Sequence, residues 1–564
     1  MADPTSTFRA ARDLLLATAS DFNLATNRFV HPRFTEFNWA LHWFDAVLAA
    51  DHADDRALWI VDGRGNESGW TFAELSARSN QAAVWLRAQG VRRGDRVLVQ
   101  LGNQVELWET LLALMKLGAV AVPTSPLLSP ADVRGRLYRI GVRHVVARSD
   151  RAAKLTADGL TRIAVGDPVD GWRRYDDCRR ESGVFVPDGP TGADDPLVVL
   201  VTPGTTGWAK AIVHTHVSYP VGHLTTMYWA GLRPGDVHLS VSSPGWAKHL
   251  CGNLFTPWNA AACALVCADA PPTPEALLAL MAQYRVSTVC APPKAWRTLA
   301  AADLAGWRSR LPALRELVTI SEPISPGVVH RVRRAWGLTI REGYGQTETT
   351  ALVGHSPGGP VTLGAMGRPL PGCPVVLVDP VTGLPAAPGE EGEICLDLAR
   401  RPLGLMAHYA DAGPALPQAG PYYRTGDVAV ADELGYLKYL GRVEDVFSSA
   451  DHRISPVELE GVLVEHEAVG EAAVVPASND ADALPKAYID LAAGYRAGRE
   501  TARAILGYAR SHLPPYQRVR RLEFGPLPRT VSGRVRRDEL RRRESAGCRR
   551  AHEYRDSDFP EFAD

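Results

Sequence analysis

The sequence predicts an α/β chain: a large N-terminal domain of layered sheets covered by helices, followed by a small, mobile α+β domain. Three observations carry this. Short apolar, strand-like runs alternate with helical periodicity over most of the chain. At 564 residues the chain is longer than one hydrophobic core normally serves, so at least two domains are expected. Its character changes near Gly441, beyond which the elements suffice for a domain of roughly a hundred residues. The divisions read as 1–440, 441–545 and a frayed tail at 546–564.

The elements follow in order. The run 96–101 reads as a strand. Residues 106–117 read as a helix, with apolar side chains at 107, 111, 112, 114, 115 and 117. Gly118 ends that helix, and 119–122 form the next strand, closed by Pro123. The apolar run 197–201 suits a strand buried on both faces. Beyond Gly441 come a helix at 456–465, strands at 472–476 and 487–491, a helix at 501–513 and a strand at 519–524. The charge run 536–543 reads as a solvated surface helix.

Bulk properties exclude several classes. Lys+Arg is 62 against 63 for Asp+Glu, which gives no electrostatic case for nucleic acid or an anionic membrane as partner. The eight cysteines form no CxxC pair and no zinc-like spacing, so they read as buried, reduced thiols. Met1-Ala2-Asp3-Pro4-Thr5-Ser6 lacks the basic-then-apolar order of a signal peptide, and no apolar run nears the roughly 20 residues of a membrane span. A cytoplasmic location is expected.

The most informative segment is Val201-Thr202-Pro203-Gly204-Thr205-Thr206-Gly207-Trp208-Ala209-Lys210, directly after the apolar strand. Gly204 and Gly207 let backbone approach a ligand closely, while Thr202, Thr205, Thr206 and loop N–H groups can donate to phosphate oxygens. Lys210 can set a cation beside the β/γ-phosphates. The Walker spacing GxxxxGK[ST] is absent.

This loop resembles the signature of the adenylate-forming superfamily of acyl- and aryl-CoA synthetases, adenylation domains and luciferases, with Pro203 at the usual Ser and Ala209 at the usual Pro. Four further segments match in order: Glu342-Gly343-Tyr344-Gly345-Gln346-Thr347-Glu348-Thr349, Tyr423-Arg424-Thr425-Gly426-Asp427, Gly441-Arg442-Val443-Glu444-Asp445 and Pro528-Arg529-Thr530-Val531-Ser532-Gly533-Arg534. Ser243-Pro244-Gly245-Trp246-Ala247-Lys248 looks closest to the medium-chain and aryl acid:CoA synthetase branch. The resemblance implies ATP and Mg²⁺ as cofactors, a small acid as substrate, and CoA or an amine as acceptor. It implies that Tyr344 stacks on adenine, with Gly345 and Gln346 beside it and Glu322-Pro323 lining the pocket's other wall. Thr347 is expected to donate to the α-phosphate, Glu348 to hold Mg²⁺, Asp427 to accept from both ribose hydroxyls, and Arg442 to bind ribose or phosphate. Trp246, His249 and Gly343 are expected to line the acid pocket. Nucleotide residues lie on both sides of Gly441, so the site is expected to assemble as the second domain rotates about Glu444 and Asp445.

Two departures bear on the reaction. Arg534 stands where the family has its catalytic Lys, keeping the charge in a wider, planar group. Asp451 stands where thioester-forming relatives often have Gly to pass the pantetheine arm, and Gln517 replaces a common Lys. The leading expectation is adenylation of an aryl or medium-chain acid followed by transfer to CoA, in a monomer or homodimer. One alternative is adenylation with a different acceptor, as in ATP-dependent diazotases that activate nitrite for an aryl amine. The other is an inactive nucleotide-binding paralogue.

Overall fold

The structure, a computed structural model, describes residues 3–152, 155, 159–202, 210–269, 273–411, 416, 420–449, 452–479, 482–530, 534–545 and 552–562. It divides into two compact units. The first comprises Met1–Ile324, Val328–Val375 and Leu396–Tyr423; the second comprises Ser325–Gly327, Val376–Cys395 and Arg424–Asp564.

The first unit is built on two large sheets. The nine-stranded sheet runs in the order Arg368–Pro369, Thr350–Gly354, Ile340–Gln346, Glu316–Ile320, Thr288–Cys290, Val237–Ser240, Cys263–Cys267, Arg56–Val61 and Glu67–Thr71. Its six central strands are parallel. The eight-stranded sheet runs from His408–Tyr409 through Lys210–Thr215, Pro196–Thr202, Val120–Pro123, Arg96–Gln100, His144–Arg148 and Thr161–Val165 to Arg173–Arg174. The helix Val105–Leu117 ends at Gly118, which sits at φ 68 in the left-handed region that a glycine adopts without Cβ strain. That turn delivers the chain into Val120–Pro123, as the sequence predicts. The apolar strand Pro196–Thr202 is buried along its length apart from its ends, because parallel and antiparallel neighbours and covering helices leave neither face to water.

The second unit holds most of a four-stranded sheet, Val375–Val378, Glu391–Asp397, Tyr422–Ala431 and Leu437–Arg442, and a hairpin of Phe447–Ser449 with His452–Ile454. It also holds a four-stranded sheet of Val469–Asn479, Asp482–Leu491, Arg521–Phe524 and Glu553–Arg555, covered by helices Pro456–Leu463 and Arg499–His512. The charge run forms the helix Arg537–Ser545, but it is not solvated all round. Leu540 is fully buried, and Arg537 is half-buried on Glu460 at 2.5 Å.

The tail differs from the sequence expectation. Glu553–Arg555 adds an antiparallel strand to Arg521–Phe524, and Phe559 packs into the second unit's core. The reason is electrostatic as well as apolar: buried Lys486 gathers Glu523 at 2.8 Å, Glu544 at 2.5 Å and Glu553 at 3.1 Å. A buried ammonium is expensive unless paired, so Glu553 is drawn in with the strand that carries it. The described cysteines are all free thiols, buried or half-buried. Among the described residues no helix is long and apolar enough to cross a membrane.

Candidate active site

In the first unit the strand Ile340–Gln346 carries the tyrosine motif, and its position is fixed from below. Gly343 pairs with Gly354 of the neighbouring strand, and a Cβ on either would strike the indole of Trp229. Trp229 fills that gap and donates to the Glu342 carbonyl at 3.0 Å. Tyr344 is 8 % exposed, and a Cβ on Gly345 would overlap the carbonyl of Thr350. The chain then turns, with Gln346 N donating to Thr349 Oγ1 at 3.0 Å and Thr349 N returning to Gln346 O at 3.2 Å. This turn presents half-buried Thr347 and Glu348. Behind it, His214 Nε2 donates to the Thr347 carbonyl at 2.7 Å, and its Nδ1 accepts from Ser218 at 3.0 Å. Burial lowers the His214 pKa to about 4, so the ring is a neutral brace.

The phosphate-loop hairpin approaches the same turn. Thr202 and Lys210 are register partners at its base; Gly204, Thr205, Thr206 and Gly207 lie outside the described residues. The Lys210 ammonium sits 5.4 Å above the ring of Tyr409, whose hydroxyl donates to Glu348 Oε1 at 3.3 Å. Burial and the Glu348 charge push the Tyr409 phenol up to about 12, which keeps its proton for that bond. The segment around Tyr409 joins both partners through backbone: Met406 N donates to Glu348 O at 2.7 Å, and Ala407 N and Ala410 N donate to Val213 and Ala211 at 2.9 and 2.8 Å.

The other expected wall is a strained loop. Ser321 has φ 100, disfavoured for a residue with a Cβ, and leads into exposed Glu322 and Pro323. Ile324 N closes the loop by donating to Glu342 Oε1 at 2.9 Å. Of the acid-pocket candidates, Trp246 is half-buried before the short helix Ala247–Leu250. His249 is buried; its Nε2 meets Asn103 Oδ1 at 2.7 Å and its ring leans on Trp108.

In the second unit Asp427 is 4 % exposed and faces Arg442 across the strand pair Tyr422–Ala431 and Leu437–Arg442. The Tyr439 hydroxyl donates to Asp427 Oδ1 at 3.0 Å, and Arg442 Nε lies 3.8 Å from the same oxygen. Burial first, then the Asp427 charge, raises the Tyr439 phenol, while Arg534 opposes the rise. Arg534 is exposed and within electrostatic reach of Tyr439; its backbone N–H donates to Thr530 Oγ1 at 3.2 Å. Asp445 is held by Arg541. A groove of about 320 Å³ in this unit is lined by His452, Arg453, Tyr516 and Gln517, with the His452 and Tyr516 rings 4.2 Å apart. Asp451 lies outside the described residues.

Sequence reasoning did not find Tyr409, Tyr439 or His214. The first two lie outside the motifs, and only their strand neighbours give them away: Tyr409 pairs with Ile212 beside Lys210, and Tyr439 is two residues before Gly441.

A tyrosine-motif strand that ends in an acidic turn, beside the hairpin that carries Lys210, is the arrangement of an adenylate-forming ligase. The chain belongs to the AMP-binding enzyme family: residues 46–409 match that family, and residues 458–534 match the AMP-binding enzyme C-terminal domain. It is 36 % identical over 515 residues to 4-hydroxybutyrate–CoA ligase 1 of Metallosphaera sedula, covering 90 % of this chain and 91 % of that protein. It is 32 % identical to a mitochondrial acyl-coenzyme A synthetase of Mus musculus over 89 % of each chain. Among solved structures, the anthranilate CoA ligase AuaEII in complex with anthranoyl-AMP aligns with TM-score 0.81 and 25 % identity, over 91 % of this chain and 98 % of that one. The benzoate CoA ligase from Burkholderia xenovorans LB400 aligns with TM-score 0.76 and 25 % identity, over 90 % of this chain and all of that one.

Proposed function

We propose that this chain joins ATP and a small aryl or medium-chain carboxylic acid into an acyl-AMP, releases pyrophosphate, and passes the acyl group to CoA. The observation that carries the reading is the grouping of Lys210, Tyr409 and Glu348 beside the Thr347 turn. It supplies a cation, a hydroxyl and a carboxylate where phosphates need charge and hydrogen bonds. The relatives named for 4-hydroxybutyrate, anthranilate and benzoate support a short or flat acid and a CoA acceptor.

In the first step a carboxylate oxygen bonds to the α-phosphorus as the bond to the bridging oxygen breaks and pyrophosphate departs. Two anions must be held together, so positioning and charge neutralisation are the protein's task. Lys210 neutralises the β/γ-phosphates, Thr347 donates to the α-phosphate, and Tyr344 covers adenine. Asp427 accepts from the ribose hydroxyls, Arg442 binds ribose or phosphate, and Arg534 supplies the cation shared by acid and α-phosphate. In the second step the CoA thiol gives up its proton to solvent, its sulfur bonds to the acyl carbon, and AMP leaves with the electron pair of the broken acyl–oxygen bond.

Mg²⁺ fits the donors present. Glu348 offers a hard carboxylate oxygen, and among the described residues no group of three His, Cys, Asp or Glu could form a metal cage of its own. That pattern suits an ion held largely by phosphates. When bound, Mg²⁺ would offset phosphate charge. The groove that holds the tilted His452–Tyr516 ring pair, with Arg453 on Glu391 at 3.2 Å, supports a CoA partner, since aromatic faces suit a nucleotide base.

The reading includes a functional division at Leu440, rotation about Glu444 and Asp445, a cytoplasmic location, and a monomer or homodimer. The test is an acid panel, with nitrite plus aryl amines included, assayed for AMP and pyrophosphate with and without CoA. Carboxylate- and CoA-dependent AMP formation is expected. Turnover of nitrite and amine alone would replace the CoA reading with a diazotase.

A further inference from the structure

Lys248 follows Trp246 on the short helix Ala247–Leu250, which continues as a π-helix, Cys251–Phe255, a distortion that recurs at functional sites. Beneath it end three parallel strands, at Ser240, Cys290 and Ile320. Ile320 is the register partner of Gly343, one residue before Tyr344. Lys248 therefore stands at the carboxyl edge of the sheet that carries the tyrosine motif, where open α/β sheets take their ligands.

The surroundings of Lys248 are polar but short of acceptors. Its ammonium donates to the Ile320 carbonyl at 3.5 Å, a long bond. Its charge acts on the thiols of Cys251 and Cys290, both held protonated by burial. Gly252 leaves open the space over the Ser240 hydroxyl that a Cβ would fill. Among the described residues no carboxylate lies within ion-pair distance of Lys248. The contrast within the chain is clear: buried Lys116 has Asp45, Ser79 and Asn80, and buried Lys486 has three glutamates. An ammonium has three donors, and a half-buried one with a single long bond has capacity left for an acceptor brought by a ligand.

We infer that Lys248 is a specificity-determining residue that binds a second oxygen acceptor on the acid, remote from the carboxyl that is activated. The substrate class is a short hydroxy-, oxo- or dicarboxylic acid, rather than one with a plain hydrocarbon end. This rests on the adenylation reading and narrows it.

The test uses the full chain with ATP, Mg²⁺ and CoA and two matched series: butanoate, 4-hydroxybutanoate and succinate; benzoate, 4-hydroxybenzoate and terephthalate. The readout is the ratio of kcat/KM for pyrophosphate release between acceptor-bearing and plain acids within each series. In the wild type that ratio should favour at least one acceptor-bearing acid by on the order of tenfold to a hundredfold. Lys248→Met should bring it to about one, and Lys248→Arg should retain part of it, a rescue that loss of folding could not produce. The hydroxyl and carboxylate arms distinguish a neutral from an anionic acceptor. An unchanged ratio in Lys248→Met, or a wild-type preference for plain acids in both series, overturns the assignment. Absence of pyrophosphate release with every acid in all three proteins overturns adenylation itself, and the Lys248 assignment with it.

Discussion

Glu348 in the first unit and Asp427 in the second are each met by a tyrosine hydroxyl, at 3.3 and 3.0 Å, yet their cations are arranged differently. Near Glu348 the cation, Lys210, lies over the ring of Tyr409, 5.4 Å from its centroid. Near Asp427 the cation, Arg442, lies 3.8 Å from the carboxylate itself. In the proposed reading Glu348, whose nearby lysine lies on an aromatic face, is the carboxylate that meets the metal. In the same reading Asp427, beside a guanidinium, is the carboxylate that accepts the neutral ribose hydroxyls. The proposed reading thus gives the same two side-chain types a metal role in one place and a ribose role in the other. The difference comes from whether the cation docks on the tyrosine ring or on the acid.

The largest effect should come from removing the charge on one side of this comparison. Glu348→Gln should cut pyrophosphate release by about a thousandfold or more, with the fold intact by circular dichroism, because the amide is a poor Mg²⁺ ligand. Turnover within tenfold of wild type would mean that Glu348 does not hold the metal.

Next comes Arg534, which reaches Tyr439 electrostatically in the second unit. Arg534→Ala should lower adenylation by about a hundredfold. Arg534→Lys should preserve or improve activity with ordinary carboxylic acids, since a compact ammonium can reach two anions. An Ala variant as active as wild type on its best acid removes Arg534 from the mechanism.

The two tyrosines sharpen the comparison directly. Tyr409→Phe keeps the ring beneath Lys210 and deletes only the hydroxyl on Glu348, so half-saturation by Mg²⁺ should rise roughly fivefold with little change in kcat. Tyr439→Phe should instead raise KM for ATP by a similar factor and leave the Mg²⁺ response alone. If the two responses were exchanged, the assignment of metal and ribose to these carboxylates would be reversed.

Much of this was legible in the sequence, and what was not has physical causes. Gly118, the apolar strand before Thr202 and the tyrosine motif are local signals. Each is set by backbone freedom or by spacing within a few residues. Tyr409 and Lys210 come together only because His408–Tyr409 pairs with Lys210–Thr215 from two hundred residues away. The pairing of Gly343 with Gly354 makes sense only once Trp229 is seen between them. The tail misled for a related reason: its polar composition hides Glu553 and Phe559, which are buried because Lys486 and the second core lie beside them.

The smallest effect on turnover concerns Glu342, which braces the Glu322–Pro323 loop through Ile324. Burial raises its carboxyl from 4.5 to about 7, while the unfolded chain titrates near the ordinary value. Between about pH 4.5 and 7 the folded protein therefore holds a proton that the unfolded chain has released. Stability contributed by this group falls as pH rises through that window, by up to about 3 kcal/mol, and is level above it. Buried His214, lowered to about 4, and His216, His223, His238 and His249, lowered to about 3, act with the opposite sign. Their contribution is lost as pH falls from 6.5 through those values, so a wild-type curve alone mixes both slopes. Glu342→Gln separates them, because the amide oxygen still accepts from Ile324 N and only the titration is removed. The variant should match wild type in unfolding midpoint at pH 4.5 and exceed it at pH 7.5, with pyrophosphate release within about twofold. Urea midpoints for both proteins across pH 4.5 to 8 decide it, and a difference that stays constant with pH would show that Glu342 ionises as an ordinary exposed carboxyl does.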